Sequence, residues 1–275
     1  KYLRDFYLFP REAEVFQEDD IMLAIAYVLQ CAVENQMPLS ICIGLGTNMG
    51  AHRGDGPLSE FINSTASFSQ NSISIAAGNE GTARHHYLSG ADRQEKTDTV
   101  ELKVGEQEST RGFSMEFWGD SPNFYNIVIQ SPTGERLPVS TALKYGTQEL
   151  SFVFVETRIL VNYIPIERRT GKTLVFFRFL HPAPGIWKLL VEERMLANGG
   201  FHIWLPTSTS PGDARDGMTV TAYQYRDNSL YVQASRGYNT ENVVKPDFAA
   251  PGVGILTASI GAGRTFEQAT GTSLA

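Results

Sequence analysis

Apolar positions early in the chain follow two periods in turn. From Glu18 to Asn35 they recur at helical spacing, and Asp19 and Asp20 stand where a helix begins. Leu39–Ile43 is a short apolar run between a proline and a glycine, which predicts a fully buried strand. Helix, strand and glycine turn together predict a parallel α/β unit, whose functional loops follow the carboxyl ends of the strands.

The same plan is then repeated. Residues Pro57–Ser69 are predicted to form a second helix, and Ser72–Ala77 a second strand that is closed by Gly78-Asn79-Glu80-Gly81. An asparagine among glycines at a strand end is commonly a turn residue. Its carboxamide N–H is also a neutral donor that can bind a developing oxyanion.

The pattern changes at about Thr97. From there to Leu205 short alternating or aromatic-rich runs are separated by turn signals such as Asn198-Gly199-Gly200. About eight strands at this spacing predict an antiparallel sandwich, most simply a jelly roll. We therefore expect three segments: an α/β part in residues 1–92, an inserted sandwich in 93–209, and the α/β continuation in 210–275.

All three tryptophans, Trp118, Trp187 and Trp204, fall in the sandwich segment. Two interpretations are open: the rings fill the core, or they form a stacking surface for sugar. The first is the more economical, because buried tryptophans are common in sandwich cores.

Composition excludes several classes of function. The chain of 275 residues has a net charge of −7 and no stretch that concentrates Lys and Arg, so nucleic-acid binding is disfavoured. No apolar run reaches the length of a membrane span. We identify no cofactor motif. Cys31 and Cys42 are expected to be two buried thiols rather than a disulfide or a zinc site. The chain shows no starting methionine or targeting pattern, and we expect it to be a segment of a longer protein.

Two features of the last third concern chemistry. The run Lys245–Gly252 contains two prolines and a glycine, which exclude a regular helix or central strand and predict a rigid loop. The chain ends on Thr270–Ala275, in which Ser273 lies between small residues. Such a serine can stand at a tight turn into a helix, where free N–H groups face developing negative charge. Taken alone, the motif is equally an ordinary chain end.

Three segments taken together carry a resemblance. Ala76–Gly81, Lys245–Gly252 and Thr270–Ala275 occur in the order seen in subtilisin-like serine proteases, and the chain resembles the later part of that catalytic domain over about Glu18–His86 and Gly217–Ala275. The continuation after Gly81 and the β-rich insertion look most like clostridial subtilases of the spore-germination protease group. The resemblance implies an α/β fold class, a subtilisin-like parallel sheet with helices that is interrupted by a jelly-roll-like sandwich.

The resemblance also implies roles. It makes the protein a serine endopeptidase that acts through an acyl-enzyme on Ser273, with Asn79 in the oxyanion hole. It places Gly44-Leu45-Gly46 along an extended substrate and Ala76-Ala77-Gly78 in the wall of the primary specificity pocket. It implies a protein or peptide substrate and a bacterial extracytoplasmic or spore-associated setting, and it allows the protein's own propeptide and calcium.

The chain differs from the family in lacking a recognisable general base. The usual motifs around the Asp and His of the triad are absent, and we expect both residues upstream of Lys1. The five histidines lack that context and are expected on surfaces or in loops: His52, His85, His86, His181 and His202. If the upstream pair is replaced, the alternative is a catalytically dead pseudoprotease that binds or regulates in spore germination. A third hypothesis makes the sandwich a carbohydrate-binding module. The protease hypothesis requires folding to bring Asn79 and Ser273 to opposite sides of one peptide carbonyl.

Overall fold

The structure is a computed structural model that describes residues 17–89, 97–141, 146–194, 199–205, 214–238, 243–259 and 265–275. The chain divides into two compact units. One contains residues 85–206, and the other contains Phe16–Arg84 and Thr207–Ala275. The predicted segment boundaries, 92/93 and 209/210, lie outside the described residues.

The described residues form three α-helices, eighteen strands and one short 3₁₀ turn. The helices are α1 (Glu18–Glu34), α2 (Pro57–Ala66) and α3 (Glu106–Arg111), and the 3₁₀ turn is Thr272–Leu274. The strands are β1 (Leu39–Ile43), β2 (Asn71–Ala76), β3 (His86–Leu88), β4 (Thr97–Val104), β5 (Phe113–Gly119), β6 (Tyr125–Gln130), β7 (Arg136–Pro138), β8 (Thr147–Ser151), β9 (Arg158–Ile164), β10 (Thr173–Leu180), β11 (Gly185–Glu193), β12 (Phe201–Trp204), β13 (Met218–Tyr223), β14 (Gly237–Tyr238), β15 (Val244–Lys245), β16 (Phe248–Pro251), β17 (Ile255–Ala258) and β18 (Phe266–Ala269).

A four-stranded parallel sheet organises the unit that contains both ends of the described chain. Its strand order is β1-β2-β13-β16, and every neighbouring pair is parallel. Its core is a small cluster of buried aliphatic residues: Ile25, Ile43, Leu58, Ile62, Ile73, Ile75 and Ala214. Burying each of the larger aliphatic side chains stabilises the fold by about 1.5–3 kcal/mol. Because the strands are parallel, their carboxyl ends all meet at one edge of the sheet.

Local chemistry accounts for the two helices of this unit. The acidic first turn of α1 suits the positive end of the helix dipole, and Asp20 accepts a hydrogen bond from the Gln17 N–H, 3.4 Å away. Pro57 occupies the first turn of α2, where its missing N–H leaves no bond unmade. Ile62 is fully buried on the inner face of α2.

Two antiparallel sheets make up the other unit. Their strand orders are β3-β12-β5-β10-β9-β8 and β4-β11-β6-β7, and one continuous core draws on both. Trp187 is completely buried, and Trp118 is 6% exposed. The Trp204 ring stacks against His86 with 3.7 Å between ring centroids. Burial of Trp187 and Trp118 favours the core interpretation for these two rings, whereas Trp204 is only partly buried.

The predicted α/β fold class, with its subtilisin-like sheet, is wrong, because the described residues are mostly β, with 42% in strands and 16% in helices. The prediction extended a helix–strand alternation that ends after β2. Within residues 214–238, 243–259 and 265–275 no α-helix follows β13 or β16, because turns and two short antiparallel pairs, β14–β15 and β17–β18, take their place.

The predicted full burial of Leu39–Ile43 is also wrong. Among the described residues β1 pairs only with β2, so it is an edge strand of the sheet. Only Ile43 of this strand is buried, and Cys42 is an exposed free thiol. Cys31 is only partly buried, so the prediction of two buried thiols is wrong.

Candidate active site

The carboxyl edge of the parallel sheet carries the residues that the sequence singled out. Gly44 follows β1, Asn79 lies three residues beyond β2, and Gly252 follows β16. The Gly252 N–H donates to the Tyr223 carbonyl at the end of β13 (3.1 Å), and the Gly252 carbonyl accepts from the Gly271 N–H (2.9 Å). The turn that carries Ser273 is therefore attached by backbone hydrogen bonds to the end of the sheet.

Ser273 lies in the middle of the three-residue 3₁₀ turn Thr272–Leu274. Its side chain is exposed, whereas the neighbouring Thr272 is 2% exposed. Gly44 lies directly against the serine, because a Cβ placed on Gly44 would stand 3.2 Å from the Ser273 Cβ. The serine hydroxyl is thus accessible, and one side of it is open only because residue 44 has no side chain.

The Asn79 carboxamide is oriented by Thr272. Its Oδ1 accepts hydrogen bonds from the Thr272 N–H (3.0 Å) and from the Thr272 hydroxyl (3.4 Å). With Oδ1 held in this way, Nδ2 is the end of the amide that remains to donate. Nδ2 and the Ser273 Oγ each lie 3.4 Å from the point where a Gly271 Cβ would stand. Folding therefore brings Asn79 and Ser273, 194 positions apart, to the same small space beside Gly271.

Thr272 is a site residue that sequence reasoning missed. Its buried hydroxyl also accepts the Gly78 N–H at 2.9 Å, so it links the loop after β2 to the serine turn. The sequence feature that could have identified it is the threonine directly before the serine in Thr-Gly-Thr-Ser. A buried hydroxyl must find partners, and the nearest polar groups at a strand end are backbone amides.

The Asn79 loop is fixed on its other side by the segment after β13. The Gly78 carbonyl accepts from the Ser235 N–H (2.8 Å), and the Glu80 N–H donates to the Ser235 Oγ (3.0 Å). At Gly81 a Cβ would meet the Ala234 carbonyl oxygen at 2.3 Å, so no side chain fits there. The loop geometry is set by backbone hydrogen bonds, by side-chain bonds such as that to the Ser235 hydroxyl, and by the close approach that Gly81 allows.

The six predicted substrate-binding residues lie at this same edge. Gly44 and Leu45 are exposed, Leu45 at 45%, and Gly46 follows them. Ala76 ends β2, and the Ala77 N–H donates to the Val220 carbonyl (2.9 Å), so Ala77 continues the pairing with β13. Gly78 has φ = +94°, a conformation that favours glycine. Their role towards a substrate stays a prediction.

The general base is not found beside the serine. None of the five histidines, all of which lie in the described part of the chain, forms a hydrogen bond with Ser273. His52 Nε2 is 3.0 Å from the Asn48 carbonyl oxygen, and His86 Nε2 is 3.0 Å from His202 Nδ1. Across the described residues no group of three or more His, Cys, Asp and Glu side chains could hold a metal ion. None of the described helices has the length and apolarity of a membrane-spanning helix.

The exposed serine and the oriented amide lie at the carboxyl edge of the parallel sheet, and a solved protein shares the fold of this chain. The structure of the Clostridium perfringens CspB protease superposes with a TM-score of 0.82 and 24% sequence identity, over 96% of this chain. The chain spans 58% of the length of that protein. At this identity the likeness shows a common fold.

Comparisons of sequence give no such match. No family model matches the chain, and no curated protein does. The predicted membership in the subtilisin-like family, and with it the narrower likeness to the spore-germination group, is therefore wrong as an assignment. The motifs in Ala76–Gly81 and Thr270–Ala275 are too short to define a family, and the mostly β structure does not have the predicted α/β class.

Proposed function

We propose that this protein is a serine endopeptidase whose nucleophile is Ser273 and whose oxyanion donor is Asn79. The observation that carries the proposal is the orientation of the Asn79 carboxamide: Thr272 holds Oδ1, and Nδ2 faces the space that it shares with the Ser273 Oγ. The fold held in common with a clostridial protease supports the same reaction class.

The chemistry follows from these two groups. The Ser273 Oγ attacks the carbonyl carbon of a peptide, and its proton passes to a general base. The carbonyl oxygen becomes an anion that the Asn79 N–H stabilises without changing its own charge. Collapse of this intermediate expels the amine, which takes the proton from the base. The acyl ester on Ser273 is then hydrolysed by water, and the serine is restored.

The general base and its orienting carboxylate are supplied, in this proposal, by residues outside the 275 of this chain. Two facts support this: no histidine of the described residues bonds to Ser273, and the protein of shared fold is longer than this chain. The 275-residue chain alone should therefore not hydrolyse peptides. Hydrolysis by the purified chain would show that one of its own histidines acts as the base.

A fluorophosphonate probe tests the nucleophile, because a serine Oγ activated for acyl transfer displaces its fluoride and becomes phosphonylated. We expect the intact protein, which includes the base, to be labelled. Ser273→Ala should abolish labelling, and Ser67→Ala, a change at an exposed serine of the same unit, should leave it unchanged. Asn79→Ala should lower the labelling rate about 10²–10³-fold, the range measured for an oxyanion asparagine in another serine protease. Labelling that survives Ser273→Ala would place the nucleophile elsewhere.

The second candidate is a pseudoprotease that binds peptides without cleaving them. The observation that favours it is that no histidine of the described residues bonds to Ser273, since a serine hydroxyl without an adjacent base is a weak nucleophile. Peptide binding with no labelling of Ser273 in the protein would select it. Labelling with turnover of a peptide substrate would select the protease.

A further inference from the structure

The last parallel strand of the sheet, β16, has no hydrophobic anchor. Phe248, Ala249 and Pro251 are exposed and Ala250 is partly buried. Among the strands of the described residues, β16 pairs only with β13. A strand with a buried face has its register set by that face, whereas a strand without one is weakly specified. Something else must fix the register of β16 against β13.

Lys245 and Asp247, just before β16, form a polar clamp on the start of β13. The Lys245 Nζ donates to the Gly217 carbonyl (3.1 Å) and lies 2.8 Å from the Asp247 Oδ2. The same Oδ2 accepts the Thr219 N–H (2.7 Å), and the Asp247 N–H donates to the Thr219 carbonyl (2.8 Å). The Lys245 side chain is 10% exposed, so its ammonium is shielded and its hydrogen bonds count for more than those of a surface pair.

The clamp lies at one end of β16, and the serine turn is attached to the other. In the register that the clamp fixes, Val220 pairs with Phe248 and Tyr223 with Pro251. Gly252 then follows and holds the Gly271 N–H through its carbonyl. Gly252 is closely packed: a Cβ on it would meet the Gly271 carbonyl oxygen at 2.8 Å and the Ala222 Cβ at 2.7 Å. A shift of β16 along β13 would therefore displace Gly271 and with it Ser273.

We propose that Lys245 and Asp247 are positioning residues for Ser273, which act by setting the register of β16 and through it the Gly252–Gly271 bond. The effect of these two residues on the reactivity of Ser273 rests on the proposed function. Their effect on the Gly252–Gly271 hydrogen bond is independent of it. The predicted rigid loop over Lys245–Gly252 is wrong for Phe248–Pro251, which forms the parallel strand β16.

The test uses Lys245→Met, with Lys245→Arg as the conservative variant and Lys188→Met as the matched control. Lys188 also forms a 2.9 Å pair with a carboxylate, that of Glu101, but in the other unit. We expect Lys245→Met to stay folded by circular dichroism and to lower the rate constant of Ser273 phosphonylation about tenfold or more, since small misplacements of reacting groups cost that much. The affinity for the probe before reaction should change little. Lys245→Arg should recover most of the rate, and Lys188→Met should show none of the loss.

Amide hydrogen exchange gives a readout that is independent of activity. In Lys245→Met the Gly271 N–H should exchange at least about tenfold faster than in the parent, whereas the Ala77 N–H, which bonds to Val220 on the other side of β13, should not. Unchanged exchange at Gly271 would overturn the inference. If Lys245→Met does not fold, Asp247→Asn, which keeps an acceptor for the Thr219 N–H and loses the charge, is measured in the same way. Faster exchange at Gly271 with no labelling of Ser273 in any variant would refute the proposed function alone.

Discussion

Different kinds of interaction stabilise each of the two units. Among the described residues, the core of the antiparallel unit contains twenty buried apolar residues with large aromatic rings among them, whereas the buried cluster of the parallel unit contains seven, all aliphatic. The carboxyl edge of the parallel sheet depends instead on backbone hydrogen bonds, glycines and the hydroxyls of Thr272 and Ser235. The difference implies that substitutions in the first unit should cost stability, and that substitutions at the edge should cost reactivity.

The largest effect is expected from Trp187→Ala. The Trp187 ring is completely buried, meets Phe152 and Phe179 edge to face, and donates its Nε1–H to the Ala183 carbonyl (2.9 Å). Removing it leaves a large cavity and should lower the free energy of unfolding by about 3–5 kcal/mol. Urea denaturation followed by circular dichroism measures this loss. Val153→Ala, at a side chain that is 82% exposed, should change it by less than about 0.5 kcal/mol. Equal effects of the two variants would mean that burial does not govern this unit.

The same contrast explains how much the sequence could predict. Helix α1 ends within a residue of its predicted end, because apolar spacing and caps are local signals. The edge position of β1 is set by which strands pair, and no local pattern records that. The orientation of Asn79 depends on Thr272, 193 positions away, and so could not be derived from either loop alone. Ser273 and Asn79 themselves were singled out from the resemblance, which gave the wrong fold class. Both side chains lie beside Gly271, and their roles stay predictions.

Gly44→Ala should have the next largest effect and should separate reactivity from stability. The new methyl would stand 3.2 Å from the Ser273 Cβ and push the serine away from its place, while β1 keeps its pairing with β2. Displacing a reacting group in this way lowers the rate of chemistry by about 10- to 100-fold. Fluorophosphonate labelling and thermal unfolding are measured on the same sample. Gly56→Ala, where a Cβ would meet nothing within 4 Å, is the control. A loss of stability that matches the loss of rate would contradict the contrast between the units.

Thr272→Val tests the one buried hydroxyl of the site. The substitution keeps the shape and the Thr272 N–H but leaves the Gly78 N–H without its acceptor, at a cost of about 1–3 kcal/mol. Because the Asn79 loop then loses one of its supports, labelling of Ser273 should also slow, by about tenfold. Thr65→Val is the matched control, since Thr65 is equally buried and its hydroxyl also bonds to a backbone group, the Phe61 carbonyl. That control should lose stability alone. If both variants slow labelling equally, Thr272 has no special part in the site.

The smallest effect is expected at Glu167, where a loop of the antiparallel unit is held by hydrogen bonds as the active-site loops are. Burial raises the pKa of the Glu167 carboxyl, but hydrogen bonds from the Arg169 N–H, the Thr170 N–H and the Thr170 hydroxyl outweigh it, and the net pKa lies below its ordinary value. A lowered pKa in the folded state adds stability above the unfolded pKa of about 4.3, and this stability is lost as the pH falls through the folded value. Glu167→Gln should remove less than about 1 kcal/mol at pH 7 and should flatten the acid limb of a stability profile measured from pH 7 to pH 3. Glu156→Gln, at an exposed carboxylate elsewhere in the same unit, should keep the parent's acid limb. An unchanged profile in Glu167→Gln would show that these hydrogen bonds hold the loop only weakly, and that bonds of this kind set geometry in the active-site loops alone.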